Sequence, residues 1–138
     1  PADGQGWSAP DQDAKAMLAA PTGAGGPLFL LFPNHFAIRT YNNATTYALA
    51  VGLVADRFSG LGPLATPWPV ETPLGLADRI GAQKALMALG FDPGAPDGVV
   101  GINTRSALRA WQKSKGMTAD GYLSMAMVGL LKAEVPAP

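Results

Sequence analysis

The sequence has 138 residues, which suits one ordinary domain or two small units rather than a large active-site domain. Ten Lys and Arg balance ten Asp and Glu, so the charge argues against nucleic acid or an anionic membrane as partner. The absence of cysteine excludes disulfides, thiolate nucleophiles and thiolate metal sites.

Neither the start of the chain nor its apolar runs indicate a membrane segment. The first residues contain no basic or strongly apolar stretch, so no signal peptide is visible in this chain. The longest strongly apolar run, Tyr47 to Ala55, is far below the roughly 18 to 20 residues that cross a bilayer. We therefore expect a soluble chain, and any export signal would lie upstream.

The N-terminal part predicts a hairpin followed by a helix. Short apolar runs at Ala16–Ala20 and Leu28–Phe32 flank a Gly-rich turn, the pattern of two paired strands. A helix is predicted from Thr45 or Thr46, as N-cap, to about Phe58. Because that helix is apolar nearly all round, we expect it to be buried in a larger protein and this part to be a fragment.

A Pro-rich segment divides the chain, with four prolines between residues 63 and 73. Prolines at this density oppose both helix and central strand and favour an extended linker. We predict three segments: residues 1–62, a linker at 63–73, and a second domain at 74–138.

Three helices are predicted after the linker. They run from about Leu76 to Leu89, from about Asn103 to Lys115, and onward from Ser124 as an N-cap. An Asp-Gly pair precedes each of the last two, at Asp97 and Asp120, 23 residues apart. This repeat predicts that the same turn chemistry is used twice, with both aspartates shaping turns.

The C-terminal segment resembles a known module in several blocks that match in register. The blocks are Gln83 to Gly98, Gly101 to Gln112 and Gly116 to Gly121, and they are similar to the three-helix peptidoglycan-binding module of many wall enzymes. The second half departs from the family, with Ser124 and Met127 where Gly and Thr usually repeat.

The N-terminal segment resembles the end of the catalytic domain of lytic murein transglycosylases of the B family. The distinctive string is Tyr-Asn-Asn-x-x-x-Tyr-Ala-x-Ala-Val-Gly-x-x-Ala-Asp-Arg, which ends at Arg57. The two resemblances together imply a mainly α fold, with a β-hairpin and helix from a lysozyme-like catalytic domain before the three-helix module. They also imply an enzyme that cleaves the MurNAc–GlcNAc glycan without water, leaving 1,6-anhydro products.

No catalytic residue is predicted within this chain. The family's single Glu acts first as acid and then as base, which requires a site that raises its pKa. Glu71 lies in the linker and Glu134 is expected in the C-terminal tail, so we predict that the chain alone is inactive. The only histidine, His35, is expected at the surface or partly buried, and one histidine does not make a zinc site. No metal or cofactor is predicted.

Five residues are candidates for contacting substrate. The resemblance places Tyr41, Asn42 and Tyr47 along the substrate groove; the alternative is a turn at Asn42 and Asn43 with both tyrosines packed as amphipathic core. In the module, Arg105 is a candidate for stem-peptide carboxylates, and Tyr122 is expected to be an exposed aromatic. Trp111 and Leu108 are predicted to be core because of their helical register.

The predicted function is peptidoglycan binding, as the C-terminal portion of a periplasmic or envelope-associated lytic transglycosylase. The expected partners are the glycan strand, the stem peptide and the upstream part of the same catalytic domain. One alternative is a non-enzymatic protein that only docks on the wall. Another is a module whose groove binds a protein.

Overall fold

A computed structural model describes residues 15–135 and divides the chain into two compact units, Pro1–Trp68 and Pro69–Pro138. We call them the N-terminal unit and the C-terminal unit. Within the described residues there are five helices and one two-stranded sheet, so the predicted mainly α fold is confirmed. No helix among them is long and apolar enough to cross a membrane.

The N-terminal unit begins with the predicted hairpin. Strand β1, Met17–Ala19, pairs antiparallel with β2, Phe29–Leu31, with Met17 opposite Leu31. At the other end of this unit, the Trp68 ring stacks on Phe29 with ring centroids 5.6 Å apart. The first part of the Pro-rich segment is therefore packed on the N-terminal unit.

Two helices complete the N-terminal unit. Helix α1, Pro33–Tyr41, was not predicted, whereas α2, Thr45–Phe58, has the predicted end. The predicted cap was wrong, because Ala44 occupies the N-cap position and no side chain caps the helix. The two helices pack against each other and α1 contacts β2.

The interior of the N-terminal unit is small. Its buried apolar side chains include Pro27, Leu31, Ala48 and Leu49. Along α2, the side chains of Val54 and Phe58 are 54% and 89% exposed, although a helix this apolar is ordinarily covered. That the unit is a fragment of a larger domain stays a prediction.

The C-terminal unit is the predicted three-helix bundle. Its helices are α3, Leu76–Ala88, α4, Ile102–Ser114, and α5, Met125–Glu134. Ser124 caps α5 as predicted, its Oγ accepting the Met127 backbone N–H at 3.2 Å. Each predicted bound lies within about one residue of the observed one.

The core of the C-terminal unit is well filled. The prediction that Leu108 and Trp111 belong to it is confirmed, since they are 0% and 1% exposed. The Trp111 indole N–H is also satisfied, donating to Glu134 Oε2 at 3.1 Å. The expectation of Glu134 in the tail was wrong: this residue ends α5, where its carboxylate also pairs with Lys115 at 2.8 Å.

Candidate functional site

Two Asp-Gly turns in the C-terminal unit are each held by one buried glutamine. Gln83 Oε1 accepts the Gly98 backbone N–H at 2.8 Å. Gln112 Oε1 accepts that of Gly121 at the same distance. These amides replace water for N–H groups that would otherwise be buried unpaired. The internal repeat in the sequence is therefore a repeat of hydrogen bonding as well.

The aspartates of these turns have the predicted turn-shaping role. Asp97 Oδ1 accepts the Val99 N–H at 2.8 Å, and Asp120 Oδ1 accepts the Tyr122 N–H at 2.9 Å. The Val99 N–H, with a second donor from Gln83, lowers the pKa of Asp97 because both stabilise its ionised form.

The two halves of the repeat differ beside the turn. In the first, Gln83 Nε2 donates to Thr104 Oγ1 at 3.1 Å, and Thr104 donates to the Pro93 carbonyl at 3.3 Å. Met127 lies 23 residues later, where the second half has no hydroxyl to continue such a network. A shallow cavity of about 270 Å³ opens beside the first turn, lined in part by Asn103 and Thr104.

Tyr122 and Arg105 are brought together at the second turn. Gly121 packs so closely against α4 that an added Cβ would lie 2.8 Å from the Arg105 carbonyl oxygen. The Tyr122 hydroxyl donates to Glu71 Oε2 at 2.8 Å. Tyr122 is therefore partly buried, and the expectation of an exposed ring was wrong.

The charges around Tyr122 act in opposite directions on its hydroxyl. Burial raises the Tyr122 pKa most, followed by the hydrogen bond to Glu71 and the charge of that carboxylate. The Arg105 guanidinium lowers the Tyr122 pKa, and Asp120 raises it. Sequence reasoning missed Glu71, because no local pattern links a linker residue to a turn 51 residues later.

The three candidates in the N-terminal unit lie at and after the joint between α1 and α2. Tyr41 ends α1 with its side chain 87% exposed, and Tyr47 on α2 is 39% exposed. Asn42 is exposed and forms a turn in which its carbonyl accepts the Ala44 N–H at 2.7 Å. Substrate contact by these residues stays a prediction, as it does for Arg105 and Tyr122.

His35 was expected at the surface or partly buried, and it lies inside the N-terminal unit. It is 8% exposed, and its Nε2 is buried without a hydrogen-bond partner. Burial lowers its pKa, and the nearby Arg39 lowers it further by charge repulsion. The residue borders a cavity of about 620 Å³ formed by β2, α1 and α2.

Both glutamates have partners in the C-terminal unit. Glu134 has a lowered pKa, because Lys115 and then the Trp111 N–H stabilise its ionised form. A Glu that starts as a general acid needs the opposite shift. Across residues 15–135, no cluster of three His, Cys, Asp or Glu side chains is arranged to hold a metal ion.

Two family models match the chain in succession. Residues 1–56 match the transglycosylase SLT domain, and residues 76–131 match the putative peptidoglycan binding domain. Both resemblances predicted from the sequence are confirmed by these matches.

The chain is similar to SltB3 from Pseudomonas aeruginosa, a lytic transglycosylase of the B family. One crystal structure holds NAG-anhNAM-pentapeptide (TM-score 0.84) and another NAG-NAM-pentapeptide (TM-score 0.83). Identity is 45% in both, over 94% of this chain and 35% of the SltB3 chain. The present chain therefore spans about a third of the length of SltB3. No curated protein sequence gives a significant match.

Proposed function

We propose that this chain is the C-terminal portion of a lytic murein transglycosylase, and that its C-terminal unit binds peptidoglycan. The observation that carries the proposal is the order of the two matched domains, together with 45% identity to SltB3 over 94% of the chain. The expected location is the periplasm, where this polymer lies.

The C-terminal unit supplies the wall-binding function in this proposal. It has a filled core of its own, and its two turns are fixed by buried amides. A rigid surface of this kind loses little conformational entropy when a ligand binds. Linked to an enzyme, it raises the effective concentration of the catalytic domain at the polymer.

The N-terminal unit supplies one wall of the catalytic groove. Tyr41, Asn42 and Tyr47 offer phenol and amide groups, which suit sugar hydroxyl and acetamido groups. The exposed apolar face of α2 is covered by the upstream part of the same catalytic domain, which is the partner predicted from the sequence.

The reaction itself depends on the upstream part. The whole enzyme cleaves between MurNAc and GlcNAc without water, with one Glu as acid and then base, and forms the 1,6-anhydro product. Glu134 is held ionised by Lys115, so it does not suit the acid step. Glu71 holds the Tyr122 hydroxyl within the C-terminal unit. We therefore assign the catalytic Glu to the upstream segment.

A sacculus pull-down tests the binding function. The whole chain, residues 1–68 and residues 69–138 are incubated separately with purified sacculi and sedimented. We expect the whole chain and residues 69–138 to co-sediment, and residues 1–68 to stay largely in solution. If residues 1–68 co-sediment and residues 69–138 do not, the proposal assigns binding to the wrong unit.

The non-enzymatic alternative is distinguished from the transglycosylase by an activity assay on a longer protein, in which this chain is joined to its native upstream sequence. Release of anhydro-muropeptides by that longer protein supports the transglycosylase. Binding without release supports a wall-docking protein instead.

A further inference from the structure

The segment just before α3 is attached to the C-terminal unit at two points. Leu74 packs against the core cluster, and Glu71 accepts the hydrogen bond of the Tyr122 hydroxyl at 2.8 Å. The Glu71 carboxylate is exposed, and no salt bridge accompanies this hydrogen bond among the described residues. The contact is therefore a weak one that water or another acceptor can replace.

Positive charge lies next to this contact without being neutralised. Arg105 and Arg109 are exposed residues of α4: the Arg109 side chain and the Arg105 backbone lie beside the turn at Gly121, and the Arg105 charge acts on the Tyr122 hydroxyl. In the part of the chain that the structure describes, neither guanidinium has a hydrogen bond or ion pair that would satisfy it. The nearby Asp120 is already engaged by Gln112 Nε2 and the Tyr122 backbone N–H.

A phenol donor beside an arginine is a suitable site for a carboxylate. The chain supplies such a group from its own linker, but the pairing is incomplete, because Glu71 reaches the hydroxyl and forms no ion pair within 4.0 Å with Arg105. An external carboxylate that contacts both groups would form one more charge-assisted hydrogen bond than Glu71 does.

We infer that Tyr122 and Arg105 form a site for a carboxylate of the peptidoglycan stem peptide, and that Glu71 occupies this site in the free protein as an internal competitor. The inference rests on the proposed function. It adds that a carboxylate is the group recognised and that Glu71 must leave the site before the ligand binds. Because Glu71 is tethered, its effective concentration at the hydroxyl is high, and its displacement lowers the apparent affinity for the ligand.

The test measures binding of a synthetic stem pentapeptide to the whole 138-residue chain by calorimetry. We expect Glu71→Ala to tighten binding roughly three- to tenfold, the range of one exposed hydrogen bond. Glu71→Gln keeps an acceptor and should lie between Glu71→Ala and the wild type. Tyr122→Phe and Arg105→Gln should each weaken binding.

Two controls make the comparison specific. Asp56→Ala also removes one exposed carboxylate, from α2 in the N-terminal unit, and should leave the affinity unchanged. The same pentapeptide with its carboxyl groups amidated should bind weakly and gain nothing from Glu71→Ala. Tyrosine absorbance titration verifies the contact, since Glu71→Ala should lower the Tyr122 pKa.

The outcomes separate the inference from the proposed function. Equal pentapeptide affinity for wild type and Glu71→Ala overturns the inference, as does unchanged affinity in Tyr122→Phe. Co-sedimentation with sacculi without any pentapeptide binding also overturns it, while the proposed function stands. Failure of the whole chain to bind sacculi contradicts the proposed function itself, and the inference with it.

Discussion

Gln83 is a buried polar side chain on which several neighbouring groups depend. It is 1% exposed and satisfies the Gly98 N–H while donating to Thr104 and to the Val99 carbonyl. Replacing one member of such a hydrogen-bond network leaves the other buried polar groups without a partner. Each of those groups still carries the free-energy cost of its removal from water.

We predict that Gln83→Leu lowers the free energy of unfolding by about 1 to 3 kcal/mol, because the Gly98 N–H stays buried without an acceptor. Urea denaturation followed by circular dichroism measures this change. Lys84→Leu, at the exposed neighbouring position, is the control and should change stability by about 0.5 kcal/mol at most. Equal losses in the two variants would contradict the role of the amide.

His35 provides a second prediction, and as the only histidine it gives an unambiguous NMR signal. We expect its imidazole to titrate below the ordinary value of 6.5, because burial and then Arg39 disfavour the charged form. The contribution of neutral His35 to stability is therefore complete above its unfolded pKa of 6.5. It is lost as the pH falls from 6.5 toward the lower pKa of the folded state.

Arg39→Gln isolates the smaller cause of the His35 shift. Removing the positive charge should raise the His35 pKa, but burial should still hold it below 6.5. Arg57→Gln, at the far end of α2, removes the same charge as a control. A titration at or above 6.5 in the wild type would show that the imidazole is not buried.

At the residue scale, a side chain's role could be predicted from the sequence when its hydrogen-bond partner lies close by in the chain. The turn-shaping roles of Asp97 and Asp120 were predictable, because their partners lie two residues away. The hydrogen bond of the Tyr122 hydroxyl was not, since its acceptor is Glu71 in the linker. The pattern around His35 likewise contains no sign of burial, which arises from packing among α1, α2 and β2.

At the scale of elements, helix positions followed from capping and periodicity where those signals were present. The three helices of the C-terminal unit have apolar stripes and end signals, and each was predicted closely. Helix α1 was missed because Pro33-Asn34 is typical of a loop and no apolar stripe follows it. Pro33 is nevertheless well suited to the first helical position, where no hydrogen bond of its N–H is needed.

The second Asp-Gly turn depends on close contact with α4. Gly121 has a φ of +69°, and an added Cβ would lie 2.8 Å from the Arg105 backbone oxygen. Gly90 after α3 has a φ of +85° with open space around it. The positive φ favours glycine at both positions, but only at Gly121 would an added Cβ also clash with a neighbouring backbone atom.

We therefore predict that Gly121→Ala destabilises the protein more than Gly90→Ala. The latter should cost about 1 to 2 kcal/mol, the ordinary penalty of a left-handed backbone. The former adds a collision with backbone that a rotamer change does not relieve. Thermal unfolding of the two variants measures the difference, and equal midpoints would show that α4 and the turn separate easily.

Helices α4 and α5 are joined at their ends by Glu134. Its carboxylate accepts from Trp111 in α4 at 3.1 Å and pairs with Lys115 just beyond α4 at 2.8 Å. Because these partners lower the Glu134 pKa in the folded state, its contribution is complete above the unfolded value of about 4.5. That contribution is lost as the pH falls through the lower folded pKa.

We predict that Glu134→Gln makes stability less dependent on pH as the pH falls below about 4.5. Urea unfolding at several pH values measures the slope. Asp56→Asn is the control, as an exposed carboxylate with no side-chain hydrogen bond or ion pair among the described residues. A slope unchanged in Glu134→Gln would mean that the Lys115 and Trp111 contacts do not hold in solution.

At the scale of the whole molecule, the proposed function assigns wall binding to the C-terminal unit and only one part of a catalytic groove to the N-terminal unit. The prediction is that it releases no anhydro-muropeptides from purified sacculi when tested alone, because the catalytic Glu is assigned to the upstream segment. Product analysis by mass spectrometry measures this, with a complete lytic transglycosylase as the positive control. Release by this chain would require that Glu71 or Glu134 be catalytic.

The two family resemblances were predictable at this scale, because each is carried by contiguous strings of residues. The Tyr41 to Arg57 string and the Asp-Gly blocks each predicted a family on their own. The boundaries at residues 62 and 74 stay a prediction. The structure divides the chain at residues 68 and 69, where Trp68 packs on Phe29 and Glu71 on Tyr122. Such long-range packing leaves no local pattern in a Pro-rich segment.

The exposed face of α2 has a consequence for handling the protein. Val54 and Phe58 present apolar surface to solvent, and patches of this kind favour self-association as concentration rises. At the concentrations that crystallisation or NMR requires, the chain should become polydisperse through α2 even while the C-terminal unit is fully folded. A polar residue at Val54 or Phe58 would keep preparations monodisperse and leave the C-terminal unit unchanged.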